Sequence, residues 1–106
     1  MVLNLVVTCS DRKTRPVPRA RMLRSVRGRN IDDRVRRWIE RLEDGSEESL
    51  PAVDLYAGDH WAVVRSLETV ASGRGLDARI WVASAGYGLI PLRGLVRSYS
   101  AIAPRI

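Results

Sequence analysis

Two short polar segments of this sequence contain residues that could bind or transform a ligand. The first, Thr-Cys-Ser-Asp-Arg-Lys at positions 8–13, combines hydroxyl groups with two cationic side chains. Ser10, Arg12 and Lys13, together with nearby backbone N–H groups, resemble a loop that binds the oxygens of a phosphate. Asp11 lies among them, and its carboxylate could act as a general base or bind a sugar hydroxyl. This segment therefore predicts an anion-binding loop.

The second segment, Ser-Ala-Gly-Tyr-Gly-Leu at positions 84–89, is suited to contact with a flat ligand. Gly86 and Gly88 have no Cβ, so a ligand could approach their backbone closely. Tyr87 lies between them and could stack on a nucleobase. Together with the anion-binding loop, this segment points to a nucleotide or a nucleic-acid base as the ligand.

Simpler structural interpretations of the same residues stay open. Gly-Tyr-Gly is also a common turn sequence. Cys9 is the only cysteine, and a free cysteine at the end of a strand is more often a small buried residue than a nucleophile. Asp11 could merely pair with Arg12 or cap a turn.

Arginine dominates the positive charge of the chain. Lys13 is the only lysine among 18 basic residues, and 12 acidic residues leave a formal net charge of +6. The stretch from position 12 to position 29 contains eight basic residues and no acidic one. Arginine favours planar anions such as phosphate, so this block could bind DNA or RNA, unless it is simply a solvated surface. The residues that we assign to a nucleic-acid backbone are Arg15, Arg19, Arg21 and Arg24.

The composition excludes several classes of site. One cysteine and one histidine cannot form an internal disulfide or a Cys/His zinc centre, and we expect neither a metal nor a cofactor. No run approaches the roughly 18 apolar residues of a membrane span, and the N-terminus lacks the basic region of a signal peptide. We therefore expect a cytoplasmic protein without a membrane partner.

The segments that must position the two loops alternate between strand and helix patterns. Aliphatic residues dominate positions 2–8, which predicts a mostly buried strand, and positions 78–84 predict a second strand. Positions 31–44 and 59–72 have apolar residues at helical spacing. The arginine-rich residues 19–29 fit either a short helix or an ordered loop.

The two predicted helices have recognisable start signals and apolar faces. Asn30 and Asp59 are plausible N-caps, because their side chains can accept a hydrogen bond from the first helical turn. The predicted buried face of the first helix consists of Ile31, Val35, Trp38, Ile39 and Leu42. We expect all three tryptophans, Trp38, Trp61 and Trp81, to pack in the core.

This order of elements predicts an α/β fold with a small, open, mainly parallel sheet flanked by helices. Ligands of such sheets lie beyond the carboxyl ends of the strands, so we expect both loops to face one pocket. We interpret residues 1–106 as a single α/β domain, either complete or the N-terminal part of a longer one. Two strands make a marginal sheet, so residues 89–97 could add a strand or an oligomeric partner could supply one.

Four short motifs of this chain resemble the DUF6884 family. They are Cys-Ser-x-x-Lys at 9–13, Asp-Leu-Tyr-x-Gly at 54–58, Ser-Ala-x-Tyr-Gly-Leu at 84–89 and a downstream Tyr99. The pattern is also similar to the YaaA peroxide-stress proteins and to the Cys-Ser-x-x-Lys domain of archaeosine synthase, a relative of tRNA-guanine transglycosylases. The resemblance implies an α/β domain with some likeness to uracil-DNA glycosylases that acts on nucleic acid or a modified base. The residues it implies at the site are Ser10, Lys13, Ser84, Tyr87 and Gly88.

Two functional hypotheses follow from these observations. The first is a nucleotide- or nucleic-acid-directed domain with glycosylase-like chemistry at an N-glycosidic bond. The second is a non-catalytic, arginine-rich module that binds DNA or RNA. Under the first hypothesis, Asp11 and Lys13 are catalytic, and the ligand-binding residues are Cys9, Ser10, Arg12, Ser84, Gly86, Tyr87, Gly88 and Tyr99.

Overall fold

Parallel pairing of two aliphatic strands organises the structure, a computed structural model that describes residues 1–101. The elements in chain order are β1 (Val2–Thr8), two 3-10 turns (Arg19–Arg21 and Leu23–Ser25), α1 (Ile31–Glu43), β2 (Leu50–Pro51), α2 (Ala52–Leu55), α3 (Asp59–Gly73), β3 (Asp77–Ser84), β4 (Gly88–Pro91) and β5 (Leu95–Val96). The arginine-rich residues therefore form short 3-10 turns, and the region after residue 88 adds the strands that the sequence left open.

The main sheet has the strand order β1-β3-β4. β1 and β3 are parallel, with Val2 opposite Asp77 and Thr8 opposite Ala83. β4 returns antiparallel on the other side of β3, while β2 and β5 form a separate antiparallel pair. The predicted α/β class with a small open sheet is confirmed, and the sheet is mixed because only the β1–β3 pair is parallel.

Only one face of the main sheet packs into the core. The core-facing side chains of β1 and β3 include Leu5, Val7, Ile80 and Val82, and α3 lies against β3. Alternate positions face the other way, because side chains in a strand point to opposite faces in turn. Val6 and Leu89 are each 64% exposed on this outward face. The expectation of a mostly buried β1 is therefore wrong, since β1 is an edge strand in the described chain.

Trp81 lies on that outward face rather than in the core. It stands opposite Val6 in the β1–β3 register and is half-buried. Its indole N–H donates a hydrogen bond to the side-chain oxygen of Asn4 (3.4 Å). The core position predicted for Trp81 is thus wrong, whereas Trp38 and Trp61 are buried as predicted.

Helix α1 begins where predicted because Asn30 caps it. The Asn30 side chain accepts a hydrogen bond from the backbone N–H of Asp33 (2.8 Å), which satisfies one of the free donors of the first turn. The predicted apolar face is wrong in part. Trp38 and Leu42 are buried, but the other three residues of that face, Ile31, Val35 and Ile39, are exposed because only one side of α1 packs against the rest of the described chain.

Helix α3 begins with a glycine rather than with the predicted aspartate cap. Gly58 has φ +102°, a conformation that favours glycine, and its carbonyl accepts the N–H groups of Trp61 and Ala62. Asp59 is only the first helical residue, so its predicted capping role is wrong. Trp61 is fully buried and packs on the Tyr56 ring, 4.9 Å between ring centres. Within residues 1–101, no helix has the length and apolar character needed to cross a membrane.

Candidate functional site

The motif segments of the sequence meet at the carboxyl ends of β1 and β3. Cys9 extends the strand pairing by donating its backbone N–H to the carbonyl of Ala83 (3.2 Å), which places it at the same sheet edge as Ser84. The Cys9 thiol accepts a hydrogen bond from the N–H of Ala85 (3.3 Å). The parallel register thus brings the two polar loops together, as such registers do in open α/β sheets.

A short antiparallel ladder fixes the first loop against residues 54–58. The N–H of Thr14 donates to the carbonyl of Leu55 (2.7 Å), and the N–H of Ala57 donates to the carbonyl of Arg12 (2.9 Å). The Ser10 hydroxyl reinforces this ladder, because its Oγ lies 2.9 Å from the Ala57 carbonyl and also accepts the Ala57 N–H (3.3 Å). Ser10 therefore holds the loop in shape by bonding to the backbone.

Three buried hydroxyls form a closed triangle beneath the loops. The oxygens of Tyr56, Ser84 and Tyr99 are each 2.8 Å from the other two, and we call this set the hydroxyl cluster. Ser84 Oγ also accepts the backbone N–H of Tyr87 (3.1 Å). Burial raises the pKa of Tyr56 and of Tyr99 above the usual tyrosine value, so both phenols stay neutral and serve as hydrogen-bond donors and acceptors.

The Gly-Tyr-Gly segment packs tightly against the hydroxyl cluster. A Cβ on Gly86 would lie 2.7 Å from the Tyr99 ring, so the absence of a side chain there admits Tyr99. Tyr87 meets the Tyr99 ring edge-on at 5.5 Å between ring centres. Its hydroxyl donates to the carbonyl of Leu42 (3.2 Å) and accepts the N–H of Arg97 (3.0 Å). Gly88 has φ +76° and begins β4, so this segment is built into the fold as a turn.

A hollow of about 170 Å³ opens above the hydroxyl cluster, and we call it the strand-end pocket. Its lining residues are Cys9, Ser10, Asp11, Lys13, Ala85, Tyr99 and Ala101. Five of these were predicted from the sequence as site residues. The hollow is smaller than the usual 300–1,000 Å³ of a small-molecule site, so it has room for one group of a larger ligand.

Lys13 is the principal cation of the strand-end pocket. Its Nζ lies 4.8 Å from the centre of the Tyr99 ring and 5.7 Å from that of Tyr56, within the range of cation–π attraction. It donates a hydrogen bond to the carbonyl of Asp11 (2.9 Å). Burial lowers the pKa of Lys13, and the nearby Asp11 charge opposes that shift. Within residues 1–101, Lys13 forms no ion pair with a carboxylate.

Among the described residues, Asp11 supplies the one carboxylate in the lining of the strand-end pocket. Its side chain is exposed and accessible to water. The half-buried Cys9 thiol lies on the same wall. An ammonium and a carboxylate in one pocket can bind an anionic oxygen and activate a water molecule.

The arginines expected to meet a nucleic-acid backbone fall into two groups. Arg15, Arg19 and Arg24 are exposed, as is Arg12 beside the pocket. Arg21 differs, because its side chain is only 3% exposed and pairs with Glu47 (3.0 Å). Its Nε also donates to the carbonyl of Ser98 (3.2 Å). Arg21 therefore stabilises the fold and is not accessible to a ligand.

Tyr56 is the site residue that the sequence reasoning left unassigned. It joins the hydroxyl cluster and lies under Lys13, although it is distant in sequence from both loops. The sequence signal for Tyr56 was the Asp-Leu-Tyr-x-Gly motif. The role of this tyrosine depends on the pairing of residues 12–14 with 55–57, which the motif alone does not reveal. Gly86, Tyr87 and Gly88 were predicted to touch a ligand, but Gly86 and Tyr87 pack against Tyr99 and none of the three is in the pocket lining.

A wider hollow lies at the opposite end of β3 and has a different character. It is lined by Glu68, Thr69, Ser72, Gly73, Leu76, Asp77 and Ala78. It has two acidic residues and no basic one, and Glu68 is paired with Arg93 (2.9 Å). None of the sequence motifs reaches this end, so the strand-end pocket is the better candidate site.

No group of three or more His, Cys, Asp or Glu side chains suited to holding a metal ion lies within residues 1–101. The sequence matches no family model, no curated protein and no solved structure. The candidate site therefore stands on its own geometry and on the motifs that converge there.

Proposed function

We propose that this chain is a nucleotide- or nucleic-acid-directed domain whose strand-end pocket binds a phosphate group or a base. The observation that carries the proposal is the position of Lys13, a half-buried ammonium held over two aromatic rings that forms no ion pair with any carboxylate of residues 1–101. A cation that has lost part of its hydration gains strongly from a bound anion. The resemblance of the converging motifs to the DUF6884 family and to the archaeosine synthase domain favours nucleic acid as the source of that anion.

Hydrolysis of an N-glycosidic bond is the reaction that we propose for this pocket. Water forms a bond to the anomeric carbon while the carbon–nitrogen bond breaks, and the departing base keeps the electron pair. The Asp11 carboxylate takes the proton from the attacking water, and the Lys13 ammonium donates a proton to the departing base. Both groups line the same pocket, so one bound nucleoside could reach both.

The test of binding is fluorescence anisotropy with labelled mononucleotides and oligonucleotides, comparing the wild type with Lys13→Met. Arg79→Met is the matched control, because it removes one positive charge from an exposed position on the outward face of β3. We expect Lys13→Met to weaken binding by about tenfold or more, the usual effect of removing a charge-assisted hydrogen bond, and the control to change it little. Equal effects of the two substitutions would contradict a role for the pocket.

The test of chemistry is the release of free base from oligonucleotides that contain modified bases, detected by chromatography. Asp11→Asn keeps the size of the side chain and removes the proton acceptor. General-base catalysis typically contributes 10²–10⁴-fold, so we expect about that loss of turnover with binding retained. Turnover that is unchanged in Asp11→Asn would overturn the catalytic assignment while leaving the binding proposal intact.

A second candidate function, a non-catalytic nucleic-acid-binding module, is favoured by one separate observation. An open hollow of about 680 Å³, which we call the arginine hollow, is lined by Arg19, Met22, Arg24, Ser25 and Arg27. Within residues 1–101, none of these three arginines pairs with a carboxylate. This function predicts binding that survives Lys13→Met, weakens steeply with salt, and is lost when the three arginines are replaced by alanine.

A further inference from the structure

Three hollows adjoin one another along one side of the molecule. Between the strand-end pocket and the arginine hollow lies an apolar groove of about 330 Å³, lined by Leu23, Ile31, Arg34, Val35, Trp38 and Ala85. Ala85 lines both this groove and the strand-end pocket. At the other end, Leu23 lines the groove while its chain neighbours Met22 and Arg24 line the arginine hollow.

Direct contacts hold the three hollows in this arrangement. Tyr99, which lines the strand-end pocket, meets the groove residue Trp38 edge-on at 6.4 Å between ring centres. The backbone N–H of Leu23 donates to the carbonyl of Ser100 (2.8 Å), which ties the arginine-bearing turn to the residue after Tyr99. The three hollows therefore lie next to one another around residues 99–101, and we call them together the track.

The apolar groove has cations within it and at both ends. Arg34 is fixed in the groove because its guanidinium donates to the carbonyls of Val26 and Leu23, each at 3.2 Å. Lys13 stands at one end and Arg24 at the other. In the described chain, none of these three cations is paired with a carboxylate. An occupant with apolar flat surfaces and regularly spaced negative charges complements such a track.

We propose that the ligand of this site is single-stranded nucleic acid, whose backbone contacts the arginine hollow and Arg34 while an unstacked base covers the apolar groove and the adjoining group enters the strand-end pocket. This inference rests on the proposed function and extends it from one bound group to a strand. Single-stranded nucleic acid is recognised in this way elsewhere, by cationic grooves with apolar or aromatic surfaces for unstacked bases.

A duplex does not offer the same match. Its bases are stacked inside the helix, so they cannot cover Ile31 and Val35 on α1, which are 78% and 51% exposed. The strand-end pocket of about 170 Å³ also admits one group and no paired helix. A duplex would have to unpair, at a cost in free energy, before one of its bases could fill the groove.

The experiment measures the affinity of fluorescein-labelled oligo(dT) and oligo(U) decamers, of the corresponding mononucleotides by competition, and of a duplex of the same length. Val35→Glu places a negative charge in the groove at an exposed position, where folding tolerates it. Val70→Glu is the matched control, because Val70 is 53% exposed on α3 and lies outside all three hollows. Val35→Lys tests the sign of the charge.

We expect at least one decamer to bind about tenfold or more tightly than its mononucleotide and than the duplex, as base stacking and backbone contacts add to the binding of one group. Val35→Glu should remove most of that advantage, and Val70→Glu should retain it. Val35→Lys should lose less than Val35→Glu, because it removes the same apolar contact but adds a charge that attracts the backbone. The two decamers distinguish DNA from RNA as the source of the strand.

Several results would overturn the inference. A decamer that binds no better than its mononucleotide, or equal losses from Val35→Glu and Val70→Glu, would exclude the track and leave the proposed function standing. Equal affinity for the duplex would exclude a single strand. Self-association that Val35→Glu abolishes without affecting the decamer would assign the groove to a second copy of the chain. Failure of every nucleotide probe to bind would overturn the proposed function as well.

Discussion

The strand-end pocket and the arginine-rich residues 19–29 both concentrate positive charge, but the structure builds them in different ways. In the pocket, one lysine stands over two aromatic rings whose hydroxyls are bonded to each other and to Ser84. In residues 19–29, the buried Arg21 is paired with Glu47, whereas Arg24 is exposed and unpaired in the described chain. The difference teaches that Lys13 is held in a defined environment without an ion-pair partner among the described residues, whereas the arginines of 19–29 are either used by the fold or left on the surface.

The strongest test of this comparison is to remove the Tyr99 ring, which lines the strand-end pocket and lies under Lys13. Tyr99→Ala deletes a fully buried ring that contacts Trp38, Tyr56 and Tyr87. We expect a loss of about 3–5 kcal/mol in the free energy of unfolding, as for other buried aromatic residues. Tyr99→Phe should cost only about 1–2 kcal/mol, because it keeps the ring and loses the hydrogen bonds. Urea denaturation measures both, and equal costs would mean that the ring packing is unimportant.

The next largest effect concerns the glycine that admits Tyr99. Gly86→Ala would place a Cβ 2.7 Å from that ring, and such overpacking costs about 1–3 kcal/mol. Gly73→Ala is the control, because a Cβ there meets nothing within 4 Å and alanine favours the helix. The melting temperature should fall in Gly86→Ala and rise in Gly73→Ala. A neutral Gly86→Ala would show that the Tyr99 ring can shift to make room for the Cβ.

Two arginines three positions apart test the division within residues 19–29. Arg21→Ala removes the ion pair with Glu47 and leaves the Ser98 carbonyl without its donor, so we expect a loss of about 1–2 kcal/mol. Arg24→Ala should change stability by less than about 0.5 kcal/mol and should instead weaken oligonucleotide binding. The comparison fails if Arg24→Ala destabilises the protein as much as Arg21→Ala does.

The smallest effects concern alkaline pH. Burial raises the pKa of Tyr56 and Tyr99, so the unfolded chain loses these protons first and stability should fall as pH rises above the usual tyrosine pKa of 10.0. Burial lowers the pKa of Lys13 below 10.5, so the unfolded chain binds this proton more tightly than the folded chain does. Between the pKa of the folded state and 10.5, Lys13 therefore makes the free energy of unfolding rise with pH. Lys13→Met should therefore steepen the alkaline loss. Urea midpoints from pH 9 to 12 give the slopes, and a shallower slope in Lys13→Met would contradict the assignment.

Much of the fold could be predicted from the sequence because local patterns decide it. The Asn30 cap and the limits of α1 follow from propensity and capping chemistry, α3 follows from the spacing of its apolar residues, and the strand at 77–84 follows from its aliphatic run. The exposure of Ile31 and Val35 could not be predicted, because an amphipathic pattern shows which face is apolar and not whether anything covers it. The buried strand expected at 2–8 failed for the same reason.

The sequence by itself determined most of the chemical groups of the candidate site: Asp11, Lys13, Tyr99 and Ser84, the last residue of β3. Only the tertiary structure decided that Tyr56 joins Ser84 and Tyr99, that the Ser10 hydroxyl bonds to the backbone of Ala57, and that Arg21 is buried while Arg24 is exposed. These outcomes depend on contacts between residues far apart in the chain, such as the pairing of residues 12–14 with 55–57. Local sequence fixes backbone preference and side-chain chemistry, whereas burial and hydrogen-bond partners arise from packing between distant segments.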